Sequence, residues 1–384
     1  CRPKTDADPT VNDFLKPAPP TPALDLVLQS TTIHLVKQFL NAKPYQPLHW
    51  DDTRFAKQPL STAADYYHRH SPERKEHAST SHPDFATKTT SKAWFINAHL
   101  HFDRTVVHNI KKYGYPFIPS IKNNATRLYN WFLKLPTMMF TRSHISKLDN
   151  LKVRPVYNVP MLFIRIETML TYSLHCIAMQ GYSAILYGYE TIRGGLSRIN
   201  KIAKDYSCYM MIDWSAFDQS VPFTVISTFF TVFLPSLIIV DHYYAETSNY
   251  PEATHDASYT RVATNFHDKG LYTQYSIPEL TTLIFATKIS NLLKFIWEWY
   301  QHMVIISPDG FAYVRKNAGV LSGFLNTQYL DSYANLFVMI YSMLSYGFTP
   351  LQITAMLFFI LGDDNICFSN IEYLNMENFF LWLP

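Results

Sequence analysis

Apolar and polar positions follow a helical period over several long segments of this chain. The segments with this pattern are 24–42, 92–112, 125–135 and 160–180. The sequence Ser276-Ile277-Pro278-Glu279 combines a capping box with an early proline, and it predicts the start of a helix that reaches about His302. A last long helix is expected to follow a loop at 319–323 and to end near Tyr346.

Short apolar runs predict strands, and two of these runs end at carboxylates. The run from Cys208 to Ile212 leads into Asp213. A second run, Leu357 to Leu361, stops at Gly362-Asp363-Asp364-Asn365 and resumes at Ile366, which predicts a β-hairpin with carboxylates at its turn. Helices mixed with short strands, with charged groups at the strand ends, indicate an α+β protein.

Prolines and turn residues predict two further strand regions. The runs 303–306 and 311–315 flank Ser307-Pro308-Asp309-Gly310, a turn sequence that predicts a second hairpin. Pro155 and Pro160 favour extended backbone around a basic strand, and Pro160 is placed to open the helix that runs to about residue 180.

Charge is distributed unevenly along the 384 residues. Residues 1–155 carry 22 Lys and Arg against 12 Asp and Glu, whereas the remainder carries 11 against 18. The first part could attract a polyanion and the second a cation, although an ordinary solvated basic surface is at least as good an interpretation of the first imbalance taken alone.

Histidine and cysteine positions do not indicate zinc or disulfides. The polar segment 44–92 is interpreted as a solvated loop, since its histidines have irregular spacing. Those histidines include His68, His70, His77 and His82. The four cysteines are scattered without pairing or metal-ligand spacing, so a reducing, intracellular setting fits best.

Two long uncharged stretches raise the question of a membrane span. The stretch Val221 to Val240 contains two prolines and follows a carboxylate strand, so it is interpreted as a buried helix. In the stretch Tyr329 to Leu361, Asp331 is the only charge, and Gly347 and Pro350 interrupt it. Core structure, with no integral membrane span, is the prediction for both.

The paired carboxylates are the strongest chemical feature. Adjacent like charges beside buried strands repel one another, so a cation is expected there. Asp213 and Asp363 are the predicted principal ligands of a divalent metal pair, and Asp364 is a supporting ligand. Oxygen ligands without nearby His or Cys select Mg²⁺ or Mn²⁺. Gly-Asp-Asp alone would be interpreted as a plain turn, and its significance depends on the other segments.

Three segments in this order resemble motifs A, B and C of the palm of viral RNA-dependent RNA polymerases. They are Asp213-Trp214-Ser215-Ala216-Phe217-Asp218, Ser322-Gly323-Phe324-Leu325-Asn326-Thr327 and Gly362-Asp363-Asp364-Asn365. Together with Lys152-Val153-Arg154-Pro155-Val156-Tyr157, they look most like the polymerases of partitiviruses and related viruses with segmented double-stranded RNA genomes. The resemblance covers about 147–368 and leaves 1–120 unexplained.

The resemblance implies roles for individual residues. Asp213, Asp363 and Asp364 would be catalytic and would hold the metals, in a two-metal nucleotidyl transfer. Nucleotide and ribose contacts would come from Asp218, Ser322, Gly323, Thr327 and Asn335. Asp218 occupies a position where reverse transcriptases carry a bulky aromatic residue, which points to ribonucleotides. Asp218 could instead, or in addition, cap the helix that follows.

The resemblance also implies a right-hand architecture. Lys152 and Arg154 resemble the basic motif F that grips the triphosphate, with a solvated strand as the alternative. The expected division is an N-terminal extension over 1–90, fingers over 91–205 and a palm over 206–384 with a fingers insertion near 242–302. A central antiparallel sheet flanked by helices is expected, with no thumb.

Related polymerases use a lysine beyond the carboxylate hairpin, and no lysine follows Asp363 here. The expectation is therefore that motif D, the primer grip and the thumb are missing and that the 384 residues alone polymerise poorly. RNA template and product, nucleoside triphosphates and a viral capsid protein are the expected partners, in host cytoplasm and inside virions. A reverse transcriptase, a non-catalytic membrane-associated protein and a decayed integrated viral sequence are the alternatives.

Overall fold

The structure, a computed structural model, describes residues 18, 20–21, 23–82, 91–143, 153–180, 183–190, 193–240, 260–261 and 277–383. The helices of the first half are α1 (Leu26–Phe39), α2 (Tyr66–His70), α3 (Pro72–Ser81), α4 (Lys92–Tyr113), α5 (Asn124–Phe132), α6 (Met161–Ala178) and α7 (Gly195–Ala203). Those of the second half are α8 (Phe217–Ser220), α9 (Phe223–Thr228), α10 (Ile277–His302), α11 (Thr327–Tyr346), α12 (Pro350–Thr354) and α13 (Tyr373–Trp382).

The strands form two main sheets. The first comprises β1 (Thr137–Ser143), β2 (Val153–Asn158), β6 (Ile305–Ile306) and β7 (Ala312–Tyr313), in the order β2-β1-β6-β7. The second comprises β3 (Cys208–Met210), β8 (Leu357–Leu361) and β9 (Asp364–Ser369), in the order β3-β9-β8 and antiparallel throughout. A small pair joins β4 (Ile239–Val240) to β5 (Thr260–Arg261).

One hydrophobic core joins the helices to both sheets. Helix α6 is buried along most of its length because its sequence is apolar on nearly every face. Aromatic rings fill the space between α6 and α10, where Phe163 and Trp299 stack with ring centroids 3.7 Å apart. The mixed α/β fold with a sheet agrees with the sequence prediction, and both predicted hairpins are present as β8-β9 and β6-β7.

The apolar stretch 221–240 forms buried core structure, as predicted. Helix α9 continues into a π-helical turn, Phe229–Phe233, and the chain then reaches β4. Phe229, Phe230 and Phe233 are buried against the core. None of the helices in the described part of the chain is both long and apolar enough to cross a membrane.

The prediction of a solvated loop over 44–92 is wrong for a large part of that segment. Helices α2 and α3 lie within it, and each begins with a side-chain cap, from Asp65 and Ser71 respectively. His68 is only 2% exposed. These short helices were not predicted because they have no apolar stripe. Polar side chains fix their positions instead.

Candidate active site

The second sheet brings the two predicted carboxylate segments to one end. Strand β3 pairs with β9 so that Met210 lies opposite Cys367, and the turn of the β8-β9 hairpin therefore lies beside the residues that follow β3. Gly362 has φ +68° at this turn. Asp213, Asp363 and Asp364 are all exposed at this end of the sheet. The geometry therefore places motif A and motif C side chains at one site.

Asn365 fastens the two segments to each other. Its side-chain amide donates to the carbonyl of Ile212 at 3.1 Å, and its Oδ1 accepts from the Ile212 backbone N–H at 3.2 Å. Through a side chain, this pair of bonds continues the contact between the two segments to Ile212, two residues past the end of β3. Asp213 is the next residue, so its backbone position is fixed relative to the hairpin.

Asn335 braces the turn from beneath and is fully buried. Its Nδ2 donates to the carbonyls of Gly362 and Asp363 at 3.0 and 2.8 Å. Its Oδ1 accepts from the Trp214 ring N–H at 3.0 Å and from Asn365 Nδ2 at 3.1 Å. These four hydrogen bonds all go to the carboxylate segments, so the structure gives Asn335 a positioning role. Its predicted contact with ribose stays a prediction.

The three exposed carboxylates influence one another electrostatically. Partial burial, then the neighbouring charges of Asp363 and Asp213, raise the pKa of Asp364. Within the described residues no lysine or arginine forms an ion pair with any of the three. The oxygens of Asp213, Asp363 and Asp364 do not all lie within 4.8 Å of one another, as the atoms of a preformed ligand set would. The site is thus an uncompensated negative cluster that a divalent cation would draw together.

Asp331 is the fourth carboxylate of this region, and sequence reasoning gave it no role. It lies on α11, is 7% exposed, and its Oδ1 is buried without a hydrogen-bond partner. Burial, followed by the charges of Asp218 and Asp363, raises its pKa to about 8. The available signal was its position as the single charge in the stretch from 329 to 361. The site therefore contains a carboxyl group that is mainly protonated at neutral pH.

Asp218, the last residue of motif A, contacts the loop that precedes α11. Its carbonyl accepts from the Val320 backbone N–H at 2.6 Å, and the Phe223 N–H donates to the Asn317 carbonyl at 2.7 Å. Its side chain is exposed and acts electrostatically on Asp331. The predicted ribose sensor is therefore open to solvent beside a buried carboxyl group.

The motif B loop is held closely against the first sheet. Gly323 has φ +111°, and a Cβ added there would lie 2.4 Å from the Tyr157 carbonyl oxygen, so glycine is required. Ser322 is half-buried. The Thr327 hydroxyl donates to the Leu321 carbonyl at 2.9 Å, so it closes the loop onto the start of α11. Nucleotide contacts by these residues stay predictions.

Glu167 supports this loop from α6, and it too was missed from sequence. Its carboxylate accepts from the Leu325 N–H at 2.9 Å and from Asn326 Nδ2 at 3.2 Å. Asn326 Oδ1 in turn accepts from the hydroxyl of Thr171 at 2.6 Å and lies 2.8 Å from His175 Nε2. Burial raises the pKa of Glu167 to about 8. Only the apolar context of a charged residue inside α6 could have indicated it.

The basic strand, β2, pairs with β1, a strand that the sequence did not predict. Arg154 on β2 lies directly opposite Arg142 on β1, and both are exposed. Like charges at facing positions repel, which favours an anion at this surface. Lys152, the other predicted triphosphate contact, lies outside the described residues.

A second group of potential metal ligands lies in the N-terminal helices. His68, His99 and Asp103 are buried with ligand atoms within 4.8 Å of one another. Arg74 already fills the cationic position: its Nη2 donates to Asp103 at 2.7 Å, and its Nη1 lies 3.1 Å from His68 Nε2. Because the guanidinium occupies the lone pairs that a metal would need, this cluster is interpreted as a structural network.

Comparisons with known proteins give the same family as the motifs. The chain is 46% identical over all 384 residues to the RNA-directed RNA polymerase of Atkinsonella hypoxylon virus (isolate 2H) and spans 57% of that protein. It is a homologue of viral RNA-directed RNA polymerases. The polymerase of White clover cryptic virus 1 (isolate Boccardo/2004) is 26% identical over 296 residues, which are 74% of this chain and 42% of that protein. No protein-family model matches the chain.

The fold of this polymerase homologue agrees with the sequence comparison. A sicinivirus 3Dpol RNA-dependent RNA polymerase superimposes with a TM-score of 0.55 at 14% identity, covering 96% of this chain and 63% of that chain. At this identity the match supports the fold alone. The chain spans little more than half of the length of the Atkinsonella hypoxylon virus polymerase.

Proposed function

We propose that this chain carries the catalytic part of a viral RNA-dependent RNA polymerase, which copies RNA from ribonucleoside triphosphates. The observation that carries the proposal is the meeting of Asp213 with the Asp363-Asp364 turn, fixed by Asn335 and Asn365. A hydrogen-bonded brace built from two buried asparagines is a specific way to hold carboxylates of distant segments at one end of a sheet.

The residues present fit a pair of Mg²⁺ or Mn²⁺ ions. The cluster offers carboxylate oxygens alone, carries no compensating cation among the described ion pairs, and is open to solvent. Asp213 and Asp363 would be the principal ligands and Asp364 a supporting one. Such ions, when bound, would activate the attacking hydroxyl and stabilise the leaving pyrophosphate.

The remaining residues would recognise the nucleotide. Asp218, with Asp331 behind it, would accept from or donate to the ribose hydroxyl, and the loop at Ser322 and Gly323 would contact the base pair. Arg154, together with Arg142 and the predicted Lys152, would hold the triphosphate. Thr327 would keep the loop in place through its bond to Leu321.

We further propose the finer architecture that the motifs imply. Strands β1 and β2 of the first sheet would belong to fingers over 91–205, and the second sheet to a palm over 206–384, with a fingers insertion near 242–302 and an extension over 1–90. RNA template and product would be the main partners, a capsid protein a further one, and the site of action host cytoplasm and virions.

A reverse transcriptase is the alternative within the same fold. Asp218 argues against it, because an exposed carboxylate next to a buried, protonated one would favour a ribose hydroxyl rather than exclude it. A completed enzyme should therefore incorporate ribonucleotides in preference to deoxynucleotides; the reverse preference would select the alternative.

The decisive experiment compares Asp363→Asn with the unchanged residue in the longer polymerase that contains this chain. Template-directed RNA synthesis should fall by about a thousandfold, since a ligand charge worth several kcal/mol is removed without a change of shape. The control is Asp309→Asn, in the turn of the other hairpin. Mn²⁺ binding to the 384-residue chain, followed by electron paramagnetic resonance, should weaken only in Asp363→Asn. Equal synthesis or equal Mn²⁺ binding in the two variants would overturn the proposal.

A further inference from the structure

A cluster of basic residues lies where α4 and α10 pack together, in a part of the chain that the polymerase motifs do not explain. Arg104, His108 and Lys111 follow one another at four- and three-residue intervals, so they share one face of α4. Lys288 on α10 faces the same group, and Asn291 of α10 donates to the Lys111 carbonyl at 2.9 Å. The two helices are thus held in register with their basic residues side by side.

Lys111 is unusual because it is a buried cation without an ion pair. It is 8% exposed, and within the described residues neither Lys111 nor Lys288 pairs with a carboxylate. Burial and then the charge of Lys288 lower its pKa to about 8. A helix C-terminus favours a cation in its last turn, but that effect does not require a second lysine to face the first.

Asp51 is the carboxylate that acts on this group among the residues that the structure describes, and it is already engaged. Asp51 has one oxygen 3.4 Å from Arg54 and the other 3.4 Å from Arg104. Burial and the charges of Lys111 and Arg104 also lower the pKa of His108, which accepts from Arg104 Nε at 3.5 Å. Positive charge therefore exceeds negative charge around Lys111, and the excess destabilises the protein unless an anion binds.

We infer that Arg104, His108, Lys111 and Lys288 form a phosphate-binding site for the backbone of an RNA strand, outside the catalytic carboxylates. The identity of the polyanion rests on the proposed function. Arg104 and Lys111 place two positive charges about 10 Å apart on one helix face, with the neutral His108 between them, and this spacing suits successive phosphates of a strand better than one isolated anion. The site gives α4 a role as a backbone contact that positions RNA without reading its sequence.

Loss of one lysine from this cluster should weaken RNA binding without weakening the fold. Lys288→Gln removes a charge that repels Lys111, so thermal stability without RNA should stay equal or rise. The same variant should bind single-stranded RNA several-fold more weakly, with the slope of log affinity against log salt smaller by about 0.7 for each lost phosphate contact. A purely structural lysine would lower stability and leave the salt slope unchanged.

Fluorescence anisotropy with a labelled single-stranded RNA, measured over a range of KCl concentrations, tests this. Lys111→Met, which keeps the apolar stem, is the second variant, and exposed Lys43→Gln is the control for loss of one charge. RNA binding that is normal in both cluster variants would overturn the inference and leave the polymerase proposal standing. Absence of RNA binding by the unchanged protein would instead count against the proposed function itself.

Discussion

At the scale of single residues, the candidate site depends on side chains whose charge state is set by burial. Asp331 and Glu167 both have a pKa raised to about 8, chiefly by burial, although they serve different segments. One faces the exposed aspartates, and the other accepts hydrogen bonds from the motif B loop. Neither was predicted, since a sequence shows that a residue is charged but does not show what faces it in the fold.

Asp331 should make stability depend on pH in a defined direction. Its carboxyl is protonated in the folded state up to about pH 8 but ionises near its ordinary value of 3.8 once unfolded. Between these values the folded state binds more protons, so the free energy of unfolding falls as pH rises. Asp331→Asn removes this dependence. In urea unfolding without divalent ions, its stability relative to the unchanged protein should therefore increase with pH across that window.

A constant offset between the two proteins at every pH would contradict this explanation. Glu167 titrates over a similar range, but it is present in both proteins, so its contribution cancels in the comparison. Asp309→Asn, which replaces a carboxylate in the turn of the other hairpin, should show no comparable change with pH.

Asn335 should matter for stability as well as for the position of the carboxylates. Asn335→Ala leaves the Gly362 and Asp363 carbonyls and the Trp214 ring N–H without their partner. Leaving these partly buried polar groups without partners costs up to about 1–3 kcal/mol each, so urea unfolding should show a total loss of about 2 kcal/mol or more. Asn375→Ala, at an exposed position, should change stability by less than about 0.5 kcal/mol. Similar losses in the two variants would show that Asn335 is not a brace.

At the scale of elements, the long helices and the carboxylate hairpin were predictable because their patterns are local. The helix expected to reach His302 ends there, and the one expected to end near Tyr346 does so. Strand β1 was not predicted, because Thr137–Ser143 has no clear alternation and is stabilised by pairing with β2, which comes later in the chain. Arg142 and Arg154 lie opposite each other because of that pairing, so their proximity could not be predicted either.

The motif B loop offers a test that separates backbone strain from steric contact. Gly323 and Gly347 have nearly equal φ angles, +111° and +118°, yet only Gly323 has a neighbour within reach of an added Cβ. Gly323→Ala should destabilise the protein by about 1–3 kcal/mol more than Gly347→Ala, because it adds a clash to the same strain. Calorimetric unfolding of both variants measures the difference. Equal destabilisation would mean that the loop does not press on Tyr157.

At the scale of the whole molecule, a buried polar network connects the N-terminal helices to the helix beneath the motif B loop. Although burial opposes ionisation, His68 and backbone hydrogen bonds lower the pKa of Asp65. One of those bonds comes from the Met161 N–H at the start of α6, at 2.7 Å. On the other side of the network, Arg74 joins His68 to Asp103. Residues that look like a surface loop in the sequence thus form part of the core.

Arg74→Met should therefore destabilise a larger part of the protein than α3, the helix that carries Arg74. It leaves the Asp103 carboxylate buried with two histidines beside it, His99 at 2.6 Å and His68 at 3.8 Å, and breaking a buried pair in this way costs about 3–5 kcal/mol. Because Asp65 and His68 also hold the start of α6, amide hydrogen exchange should accelerate in α3, in α4 and at residues 161–164 together. The control, Arg193→Met, breaks an exposed pair with Glu190 at 4.0 Å, so it should cost less than about 1 kcal/mol and leave exchange in α6 unchanged. Faster exchange confined to α3 in Arg74→Met would show that the N-terminal helices and the polymerase core unfold independently.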